Sequence, residues 1–184
     1  MVGHSMGGFL LTVFMLNYPE IAKARLKGAM LMATFAGDVN RDNPQNKMQI
    51  PMIKSGILVS AVKSELFGIP FIKSLTGDKL DMGMVKGMLN VFTAIDHKTL
   101  IPILSALGDE NYYPRLSEIA LPVTIMVGTS GKTTPPFHSE NLASGIKGAK
   151  FIRVPNKGHL LYWEAPEIVA EEIVALAKGE TVVA

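Results

Sequence analysis

Gly3-His4-Ser5-Met6-Gly7, with Gly8 behind it, sets a serine among glycines at the start of the chain. The spacing is G-x-S-x-G, that of a nucleophile elbow, a sharp strand-to-helix turn that lifts a serine hydroxyl clear of a sheet edge. The chemistry this suits is acyl transfer. A hydroxyl attacks a carbonyl, and a helix N-terminus receives the developing negative charge. Ser5 is the candidate nucleophile, and the amide of Met6 is the expected oxyanion donor. Glycines are expected on both flanks because a side chain there would collide with the neighbouring strand or helix. A tight turn without chemistry has the same letters. The elbow reading is favoured by the apolar run 9–16 that follows, which reads as a buried helix ending near Asn17-Tyr18-Pro19.

The elements that must position such a site follow from the apolar runs. Residues 28–34 form a short continuous apolar stretch that suits a strand buried on both faces, as in parallel sheets. Residues 123–127, introduced by Leu121-Pro122 and closed by Gly128, form a second such run. Residues 150–154, stopped by Pro155, form a third. Helices are expected over 136–146 and over 166–178, the latter opened by Pro166 and ended by Gly179. Its apolar stripe is Ile168, Val169, Ile173, Val174 and Leu176. Strands alternating with helices imply a parallel α/β sheet.

The stretch 38–115 differs in character. It holds no convincing strand, and helices are expected over 48–63, 79–95 and 98–107. Its methionines, among them Met48, Met52, Met82, Met84 and Met88, recur among apolar neighbours. They suit a helical core and equally a cap with an adaptable lipophilic wall, since the thioether conforms to varied apolar shapes. Three regions result. Residues 1–37 form the elbow, helix and strand, 38–115 the helical cap insert, and 116–184 the C-terminal α/β core.

Composition narrows the function classes. The chain has 184 residues, 48% of them hydrophobic, and a net charge of +2. No dense Lys/Arg run with interleaved aromatics appears, so nucleic acid is not an expected partner. The absence of cysteine excludes disulfides, thiolate metal sites and a cysteine nucleophile. No apolar run approaches the roughly 18 residues of a membrane span. With no signal-peptide pattern at the start, the expected location is the cytoplasm.

The elbow, the segment 121–128 with Thr134-Pro135-Pro136, and Gly158-His159 together resemble the α/β-hydrolase superfamily, in particular its esterase and lipase-like members with a helical cap. The likeness runs over nearly the whole chain and is loosest across the cap. It implies a partial α/β-hydrolase fold, with about three strands plus a stub, helices on both faces and a cap insert. Only Met1 and Val2 precede Gly3, so the chain resembles the fold's C-terminal part, from the elbow onward. By the same resemblance Ser5 matches the nucleophile, His159 the base and Met6 the oxyanion donor. A histidine in a loop after a buried strand lies at the carboxyl edge of the sheet, where sites in open α/β folds form. His4 packs beside the elbow. It joins Met48, Met52, Met84 and Met88 as a candidate substrate contact. His97, in the cap, and His138, at the start of an expected exposed helix, are weaker candidates for the base.

The pattern fails at the acid. The family places a carboxylate four residues after the strand, where this chain has Gly131 in Gly128-Thr129-Ser130-Gly131. Losing the orienting carboxylate of a serine triad can lower kcat by about 10⁴-fold. Asp38, after the preceding strand, is the candidate substitute, with a turn carboxylate as its plain alternative. Ser130 or Thr129 could instead hold the histidine through a neutral hydrogen bond. The second oxyanion amide of the family comes from a loop after an early strand, which has no counterpart here.

Two functions compete. One is a serine hydrolase of carboxylic esters with an apolar moiety, needing no metal or organic cofactor and taking a small-molecule ester. Thioester, C–C bond and perhydrolase chemistries share this catalytic set. The other is a catalytically impaired fragment, acting at most as an apolar binding module or self-associating through an exposed sheet edge. A nucleotide-binding module is disfavoured, since the turn offers neither G-x-G-x-x-G nor a Walker lysine.

Overall fold

The sheet is built from the apolar runs, and it exists because helices cover both of its faces. In the computed structural model, which describes residues 1–39, 47, 51–77, 80–94, 102, 107 and 110–179, four strands lie in the order β1-β2-β3-β4. They are β1 (Val2–His4), β2 (Ala29–Met32), β3 (Val123–Gly128) and β4 (Lys150–Val154), and every neighbouring pair is parallel. All residues of β2 and β3 are buried, as a doubly covered sheet requires.

The period-2 alternation of a strand sorts the core into two layers. Ala29 and Leu31 of β2, with Val123 and Ile125 of β3, face one side. There they pack on Leu11, Met15 and Leu16 of helix α1 (Met6–Asn17), on Ala22 of α2 (Pro19–Arg25) and on Leu142 of α6 (Pro136–Gly145). Met30, Met32 and Met126 face the other side. They meet Leu161 of α7 (Leu161–Glu164) with Val169 and Leu176 of α8 (Pro166–Lys178). Of the five apolar residues expected to form the stripe of α8, Val169 and Leu176 are buried. Ile168, Ile173 and Val174 are exposed, so the inward face is narrower than the sequence suggests.

Between β2 and β3 the described residues include the helices α3 (Ile57–Val62), α4 (Glu65–Ser74) and α5 (Met82–Ala94), with an isolated bridge between Gly37 and Asn111. The expected helix over 98–107 lies outside the described residues. The helix α4 is not among the expected ones, because Pro70 and Gly68 interrupt its pattern. It forms nonetheless, started by the Ser64 side chain, which accepts from the Leu66 amide. Val62, Ile72, Leu75, Val85 and Leu89 make a separate small core that also buries Leu160 and rests on Tyr162. The helical segment therefore packs onto the loop after β4. Among the described residues, no helix is long and apolar enough to cross a membrane.

Candidate active site

The elbow forms where β1 gives way to α1, and its backbone is strained at one residue. Ser5 has φ 53° and ψ −124°, a conformation that L side chains rarely adopt. Several bonds hold it there. The Ser5 amide donates to the Met32 carbonyl at 3.0 Å, its carbonyl accepts from the Gly8 and Phe9 amides, and Thr34 Oγ1 donates to that same carbonyl at 2.5 Å. The expected crowding falls on Gly3 and Gly8 rather than on both flanking glycines. A Cβ on Gly3 would lie 2.6 Å from the Gly7 carbonyl oxygen, and one on Gly8 2.6 Å from the Thr34 side chain. A Cβ on Gly7 would meet nothing within 4 Å. Met6 opens α1, so its amide is among the first-turn N–H groups that have no acceptor within the helix.

His159 is buried at 6% exposure in the loop after β4. Its Nδ1 lies 3.0 Å from Thr134 Oγ1, and that hydroxyl is 2.9 Å from the Ala33 carbonyl oxygen. A carbonyl only accepts, so the hydroxyl proton goes to Ala33 and Thr134 accepts from Nδ1–H. This assignment fixes the tautomer and leaves Nε2 as the basic nitrogen. Burial, with the His4 ring beside it, pushes the imidazole down to about 3. Of the expected neutral partners, Thr129 is engaged elsewhere, its hydroxyl accepting from the Asn156 amide, and Ser130 donates its amide to the Lys157 carbonyl. The loop turns back over 131–134, which brings Thr134 rather than either of them to the ring.

His4 joins the two halves of the site. Its Nε2 donates to the His159 carbonyl oxygen at 2.7 Å, and the two rings lie 4.6 Å apart, with Tyr162 edge-on to His4 at 5.0 Å. Burial lowers its pKa as well. The residue immediately before Ser5 is thus tied directly to the candidate base.

Asp38 is placed elsewhere. It has φ 49° and lines a cleft of about 380 Å³ together with Asn111, Tyr113, Phe137 and His138. His138 is fully buried, not exposed as expected, because α6 turns its first residues inward, where Tyr113 Oη meets Nδ1 at 2.6 Å. Met52 is half-buried, Met84 is exposed, and Met88 packs in the small core of the helical segment. Met48 and His97 lie outside the described residues. Two residues that hydrogen-bond to the His159 loop were given no part in it from sequence, Thr134, named only within a motif, and Glu164, whose carboxylate accepts from the Gly158 and Leu160 amides. A signal for Glu164 existed, a lone acid closing the apolar run Leu160-Leu161-Tyr162-Trp163 just after His159.

A parallel sheet with a strained serine at a strand–helix turn, and a buried histidine in the loop after the last strand, defines an α/β-hydrolase architecture. The chain belongs to the alpha/beta hydrolase family, whose family model matches residues 1–172. A Mycobacterium tuberculosis protein carrying the provisional name non-heme bromoperoxidase BpoC is 26% identical over 171 residues, which is 91% of this chain and 63% of that protein. An esterase from Exiguobacterium antarcticum superposes with a TM-score of 0.77 at 18% identity, over 96% of this chain and 65% of the esterase. An enol-lactonase from Burkholderia xenovorans superposes with a TM-score of 0.78 at 15% identity, over 96% of this chain and 64% of the enzyme. At such identities these structures share the fold, and the chain spans about two thirds of their length.

Proposed function

We propose that the chain carries the nucleophile and base of a serine hydrolase acting on carboxylic esters with an apolar moiety. The observation that supports this best is a strained Ser5 at the head of α1, joined through its neighbour His4 to a buried His159 whose Nδ1–H is held by Thr134. In the proposed reaction Ser5 Oγ attacks the ester carbonyl while His159 Nε2 takes its proton. The Met6 amide receives the oxyanion, and the imidazolium then gives the proton to the departing alcohol. Water repeats the sequence on the acyl-enzyme and releases the acid. The helical segment 51–94 is the proposed cap, its apolar core facing the loop of His159. Thr134 offers the imidazolium a dipole rather than a charge, so this catalytic pair is weaker than a full triad.

That neutral partner also supports a second reading, in which the chain keeps the site's outline but little activity and associates through β1. This strand pairs with β2 and leaves Met1 and Val2 exposed. One experiment separates the two readings. The purified chain is treated with a fluorophosphonate and its intact mass measured, with Ser5→Ala and His159→Ala as controls. A single adduct absent from both variants supports the hydrolase. No adduct on the folded chain removes that reading and leaves the association module, whose mass in solution would then be measured.

A further inference from the structure

We propose that Glu164 is a positioning residue for His159, and that it latches the helical segment 51–94 to the loop bearing the base. The proposal rests on the hydrolase reading of Ser5 and His159 for its effect on reactivity. Glu164 is buried at 7% exposure, and main-chain amides take up its carboxylate. Oε1 accepts from Gly158 at 3.1 Å and from Leu160 at 3.1 Å, while Oε2 accepts from Gly158 at 2.9 Å and from Gly77 at 2.8 Å. A buried carboxylate is costly unless its lone pairs are filled, and here three N–H groups fill them. Two of those groups bracket His159 in sequence. The third belongs to the turn after α4.

The same turn grips the loop a second time. The His159 amide donates to the Leu75 carbonyl at 2.8 Å. With the His4 bond to its carbonyl, both main-chain groups of His159 are held, as are the amides on either side of it. The contact is backbone against backbone. A Cβ on Gly158 would lie 2.5 Å from the Gly77 amide nitrogen and 2.7 Å from the Leu75 carbonyl oxygen, and one on Gly77 would run into the Asn156 carbonyl. Among the described residues, the side-chain hydrogen-bond partner of the His159 ring is the Thr134 hydroxyl, so the ring's aim depends on this backbone cradle. Displacing the turn 75–77 would break the Leu75 and Gly77 bonds together, which couples the helical segment's position to the base.

The test uses Glu164→Gln in the full chain, with the exposed Glu167→Gln as control. A glutamine offers one acceptor oxygen in place of two, so one side of the latch opens while the volume is kept. Fluorophosphonate labelling of Ser5 should slow by about 100-fold, the effect of misplacing a reacting group by an ångström, with unchanged circular dichroism. Glu167→Gln should label at the parent rate. Parent-rate labelling by a folded Glu164→Gln overturns the proposal. Amide exchange on the unsubstituted chain provides an arm that needs neither a variant nor activity. The Gly77, Gly158, His159 and Leu160 amides should exchange as slowly as those of β3. Exchange of Gly77 and Leu160 at the rate of exposed loops overturns the latch. If the parent chain takes no label at all, the hydrolase reading fails by itself, and slow exchange at these four amides still upholds the latch.

Discussion

The Thr134 hydroxyl stands between two groups it cannot both protonate. It donates to the Ala33 carbonyl at 2.9 Å and therefore accepts from Nδ1–H of His159 at 3.0 Å. On the proposed hydrolase reading, a threonine would do, without charge, the orienting work that a carboxylate does in a serine triad. Ala33 is itself held at φ 44°.

Thr134→Val keeps the shape and removes the acceptor. It leaves Nδ1–H and the Ala33 carbonyl unpaired in a buried site, at a cost to stability of about 1–3 kcal/mol. Labelling of Ser5 should fall about tenfold, the worth of one ordinary hydrogen bond of roughly 1.4 kcal/mol. The sharper readout is ¹⁵N NMR of His159, which should move from a single Nδ1–H tautomer to a mixture. A single tautomer in the variant would sink the assignment.

Gly131→Asp should restore the missing charge. Gly131 has an ordinary backbone conformation, and a Cβ there would lie 3.3 Å from the Gly128 carbonyl oxygen and 3.9 Å from the Gly158 carbonyl carbon. The neighbours must give by a few tenths of an ångström, and the new carboxylate is then carried toward the loop of His159. The imidazole should titrate well above its present value of about 3, and labelling should accelerate by at least tenfold. Unchanged titration together with an unchanged rate would show that this loop cannot present an acid to His159. Asp38→Asn should leave both readouts within twofold, since Asp38 lines the cleft beside His138.

The fold, and the positions of the two residues proposed as nucleophile and base, could be read from the chain because their signals are local. Residues 29–32 and 123–128 are apolar without alternation because both faces are covered, and Ser5 and His159 sit in short motifs with their glycines. Thr134 and Glu164 were hidden because their roles depend on loop paths. A hydroxyl four residues past Ser130 reaches the ring only once the loop over 131–134 has turned back. A carboxylate closing α7 acquires its amides only when the turn 75–77 arrives from another part of the chain. The position of Asp38 was misleading for the same reason. It follows a strand at the correct sheet edge, yet its φ of 49° and the bridge between Gly37 and Asn111 carry it toward α6.

Burying neutral His159 makes stability depend on pH with a definite sign. Its pKa is lowered to about 3 in the folded chain and is ordinary, near 6.5, once unfolded. Between those values the unfolded state binds more protons, so stability is full above pH 6.5 and falls as pH drops toward 3. The limiting slope is about 1.4 kcal/mol per pH unit. His4, also lowered by burial, acts in the same direction. Urea midpoints at pH 7.5, 6 and 5 should decline, and His159→Gln should flatten that decline; equal slopes in both proteins would contradict it. Labelling by the parent chain should meanwhile stay level from pH 8 to pH 5, because the base remains unprotonated throughout.

The strain at Ser5 predicts a trade of reactivity against stability. A non-glycine residue at φ 53° and ψ −124° costs of order 1–3 kcal/mol, which only glycine relieves. Against this stands the extra freedom glycine gives the unfolded chain, about 0.5–1 kcal/mol. Ser5→Gly should therefore abolish labelling and yet stabilise the fold by about 1 kcal/mol, raising Tm by roughly 2–4 °C for a chain of this size. Ser5→Ala keeps the strained backbone, loses only the hydroxyl and should melt close to the parent. The contrast between the two variants is the test. Both lose the nucleophile, so a higher Tm in the glycine variant alone assigns the gain to backbone strain, whereas equal melting of all three proteins would show that the elbow stores none.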